Sequence, residues 1–204
     1  METLLSLCIG LGLSAACGFR VFIPLLGLSL AAHAGHVTLA SDFQWLASTP
    51  ALIALTVATA LEITGYYVPW LDNFLDTIAT PSAVVAGVMT TAAMTTDMSP
   101  FLRWSLAVVA GGGAAALVQG ATVSARAAST LLTGGLANPA VATAELVGST
   151  LTASMAVFAP VIALMMLSLA AIAFHRWWRN RQQTLATSSL TDGGHPTSQT
   201  AQQS

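Results

Sequence analysis

Seven ionisable side chains stand inside or beside apolar runs of this sequence: Arg20, Glu62, Asp72, Asp76, Arg103, Arg126 and Glu145. Only 7% of the 204 residues are charged, 55% are hydrophobic, and lysine is absent. In hydrocarbon an ionisable group costs a few kcal/mol or more, so a chain that keeps one pairs it, wets it or uses it. Glutamate offers a carboxylate that can hold a proton or a cation. Arginine offers a permanent cation with five donors, able to balance that carboxylate or attract an anionic group. The chemistry expected of such a set is the passage of a small ion or solute. The competing expectation is mutual neutralisation within a structural core.

Spacing sorts these residues. Gln119, Thr122, Arg126, Ser129, Thr130 and Thr133 recur at steps of three and four, which puts them on a single helical stripe. Such a stripe either lines a polar path or glues helices together through hydroxyls. Glu145 is followed by Gly148, Ser149 and Thr152 on its own face, and the short Thr133-to-Pro139 connection can bring it beside Arg126. Arg20 shares a face with Cys17 and Pro24, and Glu62 shares one with Thr59 and Tyr66. Arg20, Glu62, Arg126, Glu145, Thr122 and Thr130 are therefore the candidate path residues. Arg103 reads as interfacial.

Asp72 and Asp76 lie one helical turn apart with Asn73 between them. They form either an incomplete oxygen site for Mg²⁺ or Ca²⁺, or the solvated face of an amphipathic helix. His33 and His36 have no local partner closer than Asp42, and Cys8 and Cys17 read as packing thiols too far apart to bridge. No nucleophile elbow, phosphate loop or zinc-protease helix occurs. The reading therefore leans away from an enzyme and requires no cofactor; a lipid-acting enzyme would have to use Asp72 and Asp76. A net charge of −2, with basic residues clustered only near the C-terminal end, argues against nucleic acid.

The elements that must position these groups are membrane helices, because several apolar runs reach the roughly 20 residues needed to cross about 30 Å of hydrocarbon. An all-α polytopic transmembrane bundle of about six membrane segments is expected, some of them broken or re-entrant. The run from Thr3 to Ala32 is too long for one straight span, and Gly18 and Pro24 flank Arg20, so a break is expected there. Ser48 or Thr49, followed by Pro50, opens a second span. Pro69 to Ile78 reads as a short amphipathic helix and Thr80-Pro81 as the start of another span. Ser99-Pro100 and Asn138-Pro139 open further helices, Gly111-Gly112-Gly113 interrupts one of them, and Ala159-Pro160 breaks the last. Residues 1–181 form the expected membrane domain and 182–204 a polar, disordered tail. Arg176, Arg179 and Arg181 point to a cytoplasmic C-terminus. The expected surroundings are the lipid bilayer of the bacterial inner membrane, a small ion or solute, and a second copy of the chain.

Three stretches carry a resemblance. They are Ser14-Ala15-Ala16-Cys17-Gly18-Phe19-Arg20-Val21-Phe22-Ile23-Pro24-Leu25-Leu26, Val68-Pro69-Trp70-Leu71-Asp72-Asn73-Phe74-Leu75-Asp76-Thr77-Ile78, and Thr133-Gly134-Gly135-Leu136-Ala137-Asn138-Pro139 running to Glu145. In this order they resemble the bacterial multi-pass membrane proteins catalogued as domain of unknown function 4126. Gly65-Tyr66-Tyr67 departs from the Ala-Asp-Lys-like stretch that members tend to carry there. The resemblance implies a membrane fold and no activity.

Overall fold

The computed structural model describes residues 2–166 and the helical positions 168, 169, 172, 173, 176 and 179. The side chains of residues 69–74 and 76 lie outside the described residues. The chain divides into a unit of Met1–Met165, which contains the helical bundle, and a unit of Met166–Ser204. The expected tail, residues 182–204, falls outside the described residues.

The architecture is all-α, with no strand among the described residues. The first apolar run breaks where Gly18 and Arg20 stand: α1 covers Glu2–Cys17 and α2 covers Phe22–His33. Their neighbours on α7 (Asn138–Phe158) show how the two halves are arranged. Going down α1, Gly12 faces Ala156, the Ala16 carbonyl accepts from the Ser149 hydroxyl at 3.1 Å, and Arg20 reaches the Ala142 carbonyl at 2.9 Å. Along α2 the direction reverses, and Gly27 faces Ala153. The two helices therefore form a hairpin that enters and leaves the bundle on one side. At about 1.5 Å per residue, the 16 residues of α1 reach roughly 24 Å, short of a bilayer core of about 30 Å.

A loop with a 3₁₀ turn at Ser41–Ala47 covers the open end of the hairpin. The Ser29 hydroxyl donates to the Leu46 carbonyl at 2.6 Å, and His33 Nδ1 meets the Ala47 carbonyl at 2.8 Å. Next, α3 (Thr49–Gly65) starts as its sequence dictates, with the Ser48 hydroxyl accepting from the Ala51 amide and Pro50 in the first turn. It turns by 68° from the preceding 3₁₀ segment.

Helix α4 runs unbroken over Pro69–Met94. The expected short amphipathic helix and the span after it are one element, and Pro81 lies inside it rather than at its start. A proline there removes one internal hydrogen bond, a loss that the tightly packed second half of the helix tolerates. Helix α5 (Pro100–Leu106), capped by Ser99, passes through a π-helical turn at Ala107–Gly112 into α6 (Gly113–Thr133). The triple glycine thus widens the helix into one 34-residue rod instead of breaking it. Asn138 does not cap α7; it sits inside the first turn and accepts from the Ser129 hydroxyl at 2.9 Å.

Small residues set the crossings. Gly10 lies against Thr91 and Met94, and Gly87 against Gly111 and Ala115, so α1, α4 and the π turn approach backbone to backbone. Many large apolar side chains point outward, among them Ile53, Val57 and Leu61 on α3, Val109 in the π turn and Leu117 on α6. That inside-out distribution suits a lipid surround, where apolar groups carry no penalty for exposure.

Among the described residues, three helices are long and apolar enough to cross a membrane: Thr77–Met94, Pro100–Thr133 and Asn138–Phe158. The bent pair Ser41–Ala47 with Thr49–Gly65 makes a fourth, and α1 and α2 are shorter apolar helices. Of the roughly six segments expected from apolar length, the described residues thus supply three or four spans and a hairpin. Apolar length alone does not reveal that one run doubles back.

Candidate functional site

The hairpin tip, residues 18–21, ends on a buried cluster of charge. Arg20 comes from the tip, Glu62 from the last turns of α3, Arg126 from α6 and Glu145 from α7. All four are at most 7% exposed. Arg126 stands seven residues inside the Thr133 end of α6 and Glu145 seven residues past Asn138, each roughly 10 Å from the α6–α7 turn. The cluster is therefore off-centre in the bundle, nearer the end that the hairpin does not reach.

Glu145 is the hub. Arg126 binds it in bidentate fashion, with Nε donating to Oε1 at 2.9 Å and Nη2 donating to Oε2. Arg20 Nη2 lies 3.5 Å from the same Oε2 while donating to the Ala142 carbonyl at 2.9 Å. The Tyr66 ring sits with both guanidinium groups over it, the Arg20 Cζ at 3.7 Å and the Arg126 Cζ at 4.5 Å from its centroid. A desolvated cation–π contact is worth about 2 kcal/mol, so one ring helps hold two like charges near each other. Tyr66 sits here because it terminates α3, four residues after Glu62.

Glu62 is held differently. Its Oε1 accepts from the Val21 amide at 2.8 Å and its Oε2 from the Phe22 amide at 3.0 Å. These are N–H groups at the start of α2 that have no partner within that helix, and the positive end of the helix dipole favours a carboxylate there. Breaking the first apolar run thus creates the partner for Glu62. Two arginines and two glutamates leave the four side chains formally balanced.

Arg20, Glu62, Tyr66, Gln119, Thr122, Arg126 and Glu145 are among the residues that line a small polar cavity. It has about 10 Å³ of room for the centre of a water, enough for roughly one molecule. Arg20 Nε and Nη1 are buried and have no hydrogen-bond partner among the described residues. In this conformation the cluster fits a water or a proton, not a solute.

Of the sequence-derived candidates, the structure brings together Arg20, Glu62, Arg126, Glu145 and Thr122. Thr122 donates to the Gln119 carbonyl at 2.9 Å, with the Gly18 carbonyl at 3.5 Å. Thr130 is exposed and stands apart, while Ser129 beside it on the stripe is the residue that meets α7, donating to Asn138. The side chains of Asp72 and Asp76 fall outside the described residues. Among those described, no three His, Cys, Asp or Glu side chains converge to hold a metal. Arg103 is not merely interfacial: it is 7% exposed and paired with Asp42 at 2.5 Å, tying α5 to the covering loop.

Sequence reasoning missed two parts of the site. Tyr66 appeared only as a neighbour of Glu62, and an aromatic ring flanked in space by two arginines leaves no local signature. The backbone partners, Val21 N, Phe22 N and Ala142 O, carry no side-chain signal at all.

No curated protein and no solved structure matches the chain. One family model does, over residues 7–180, which includes every residue of the cluster. The chain therefore belongs to the family described as Domain of unknown function (DUF4126).

Proposed function

We propose that this is a small transporter-like or channel-like protein of the bacterial inner membrane, with a cytoplasmic C-terminus, in which the hairpin tip closes a charged core. The observation that carries this reading is the convergence of Arg20, Glu62, Arg126 and Glu145, from four separate elements, on the break of a doubled-back helix pair. Broken helices whose exposed ends meet charged groups inside the membrane are a recurrent way of building ion and solute sites. In this reading a small ion or solute engages the carboxylates when the tip moves, and the arginines balance the charge left behind. The orientation rests on Arg176, Arg179 and Arg181.

One observation favours a second reading, a membrane assembly or scaffold protein whose charges are internal staples. Glu145 is already satisfied by two arginines, and the cavity beside it holds no more than about one water. Flux measurement separates the two. In proteoliposomes, Glu145→Gln is expected to abolish ion or solute uptake while the protein stays monodisperse in detergent. Wild-type flux in that variant removes Glu145 from the mechanism, and absence of flux from wild-type vesicles across a panel of ions and small solutes favours the staple.

A further inference from the structure

The two carboxylates of the core are not equivalent. Glu145 is bound by two arginines, whereas Glu62, though 7% exposed, has no arginine within 4.0 Å among the described residues. Its two hydrogen bonds run to the amides of Val21 and Phe22, which belong to the hairpin tip and the first residue of α2. Glu62 therefore holds the tip with both oxygens, and its ionised form is the one that makes two strong, charge-assisted bonds.

We propose that Glu62 is a proton-binding site that latches the hairpin tip, so that the coupling ion of this core is the proton. This rests on the transport reading of the same core and names its ion. The step is a simple one. A proton from water adds to one carboxylate oxygen, and no other covalent bond forms or breaks. The resulting carboxylic hydroxyl is a much poorer acceptor for the amide it faced, so one of the two latch bonds is weakened and loses its charge assistance while the other oxygen keeps its own. The cavity beside Glu62 has room for the single water that delivers the proton, and too little for a hydrated cation.

The charged and titratable groups facing Glu62 are Arg20 from the tip, Cys17 from the end of α1, Tyr66 from its own helix, Arg126 from α6 and Glu145 from α7. From α4 the described side chain is Ala79; those of Asp72 and Asp76 lie outside the described residues. Both arginines remain cations throughout and Glu145 is committed to them. Glu62 is left as the carboxylate of this set that can change charge without breaking an arginine pair, and that change weakens its contacts with the tip.

Cys17 supplies a built-in reporter. It is fully buried at the last residue of α1, directly before the tip, and Cys8 is the sole other cysteine. In Cys8→Ala protein reconstituted in liposomes, labelling of Cys17 by N-ethylmaleimide requires the tip to move. At about pH 8, adding Glu62→Gln is expected to speed labelling on the order of tenfold, the scale of one lost charge-assisted bond. Once the tip has moved, the thiol is exposed and away from position 62 in both proteins, so the ratio of the two labelling rates cancels its intrinsic pH dependence. It should fall towards one as the pH is lowered and Glu62 takes up its proton. A ratio that stays flat with pH overturns the proposal, whether both proteins label slowly or the variant labels fast because it has loosened everywhere. Flux that depends on Glu145 together with a flat ratio sinks the Glu62 latch alone. A converging ratio in vesicles that transport nothing keeps the latch and sinks the transport reading.

Discussion

Reversing either partner of the buried pair, by Arg126→Glu or Glu145→Arg, is expected to cost about 3–5 kcal/mol of stability, because each change leaves like charges facing each other out of water. The double exchange should recover only about half of the summed loss. The shortfall has a named cause: Arg20 Nη2 lies 3.5 Å from Glu145 Oε2, so an arginine at position 145 meets Arg20 even when position 126 carries a glutamate. Unfolding of the four proteins by denaturant in mild detergent, read by tryptophan fluorescence, measures this. Strictly additive losses would remove the direct pairing; full recovery would remove the third member.

The second large effect involves no charge. Gly18 sits at the tip where a Cβ would lie 2.6 Å from the Ala115 carbonyl oxygen, 2.6 Å from Val118 Cβ and 2.9 Å from the Gln119 amide nitrogen. Two of these neighbours are α6 backbone and cannot rotate away. Gly18→Ala should therefore cost about 1–3 kcal/mol, the range for overpacking a filled interior, and displace Arg20 two residues further on. Gly120→Ala on the same helix α6 provides the contrast. A Cβ there meets nothing within 4 Å, and alanine outranks glycine in helices by up to about 1 kcal/mol, so this change should be neutral or stabilising. Equal melting temperatures for the two variants would contradict the close docking of the tip.

Both experiments bear on the same structural point. The hairpin, not any single span, connects the parts of the core: its tip supplies Arg20 to Glu145 and two amides to Glu62. A change at the tip is therefore felt by α3, α6 and α7 together. This is why Glu62 and Glu145 are expected to differ in kind, one reporting on the latch and the other on the pair.

Much of this was legible in the sequence. Apolar runs with few charges require helices, since within lipid only a helix or a closed barrel satisfies the backbone. Ser48, Ser99 and the prolines after them mark helix starts because a hydroxyl can accept from the first turn and proline needs no donor there. The residues worth attention were also visible, because a charge amid apolar neighbours demands a partner wherever the chain folds. Arg126 and Glu145 could be paired in advance, because a short connection returns the second helix along the first.

The tertiary structure decided the rest. Periodicity reports which face of a helix is polar, not which way the next helix runs, so the first apolar run could be recognised as broken but not as doubled back. Pro81 looked like a helix start because a local rule favours it there; α4 instead runs through it, with Pro81 on an exposed face. Thr130 shares the periodic stripe with Arg126, yet the stripe is wider than the contact with α7, which takes Ser129 and leaves Thr130 exposed. Glu62 found its partners in backbone amides freed by a break 40 residues away in sequence, and Tyr66 found its place between two arginines from different elements. These contacts depend on relative position in three dimensions, which no pattern along one segment encodes.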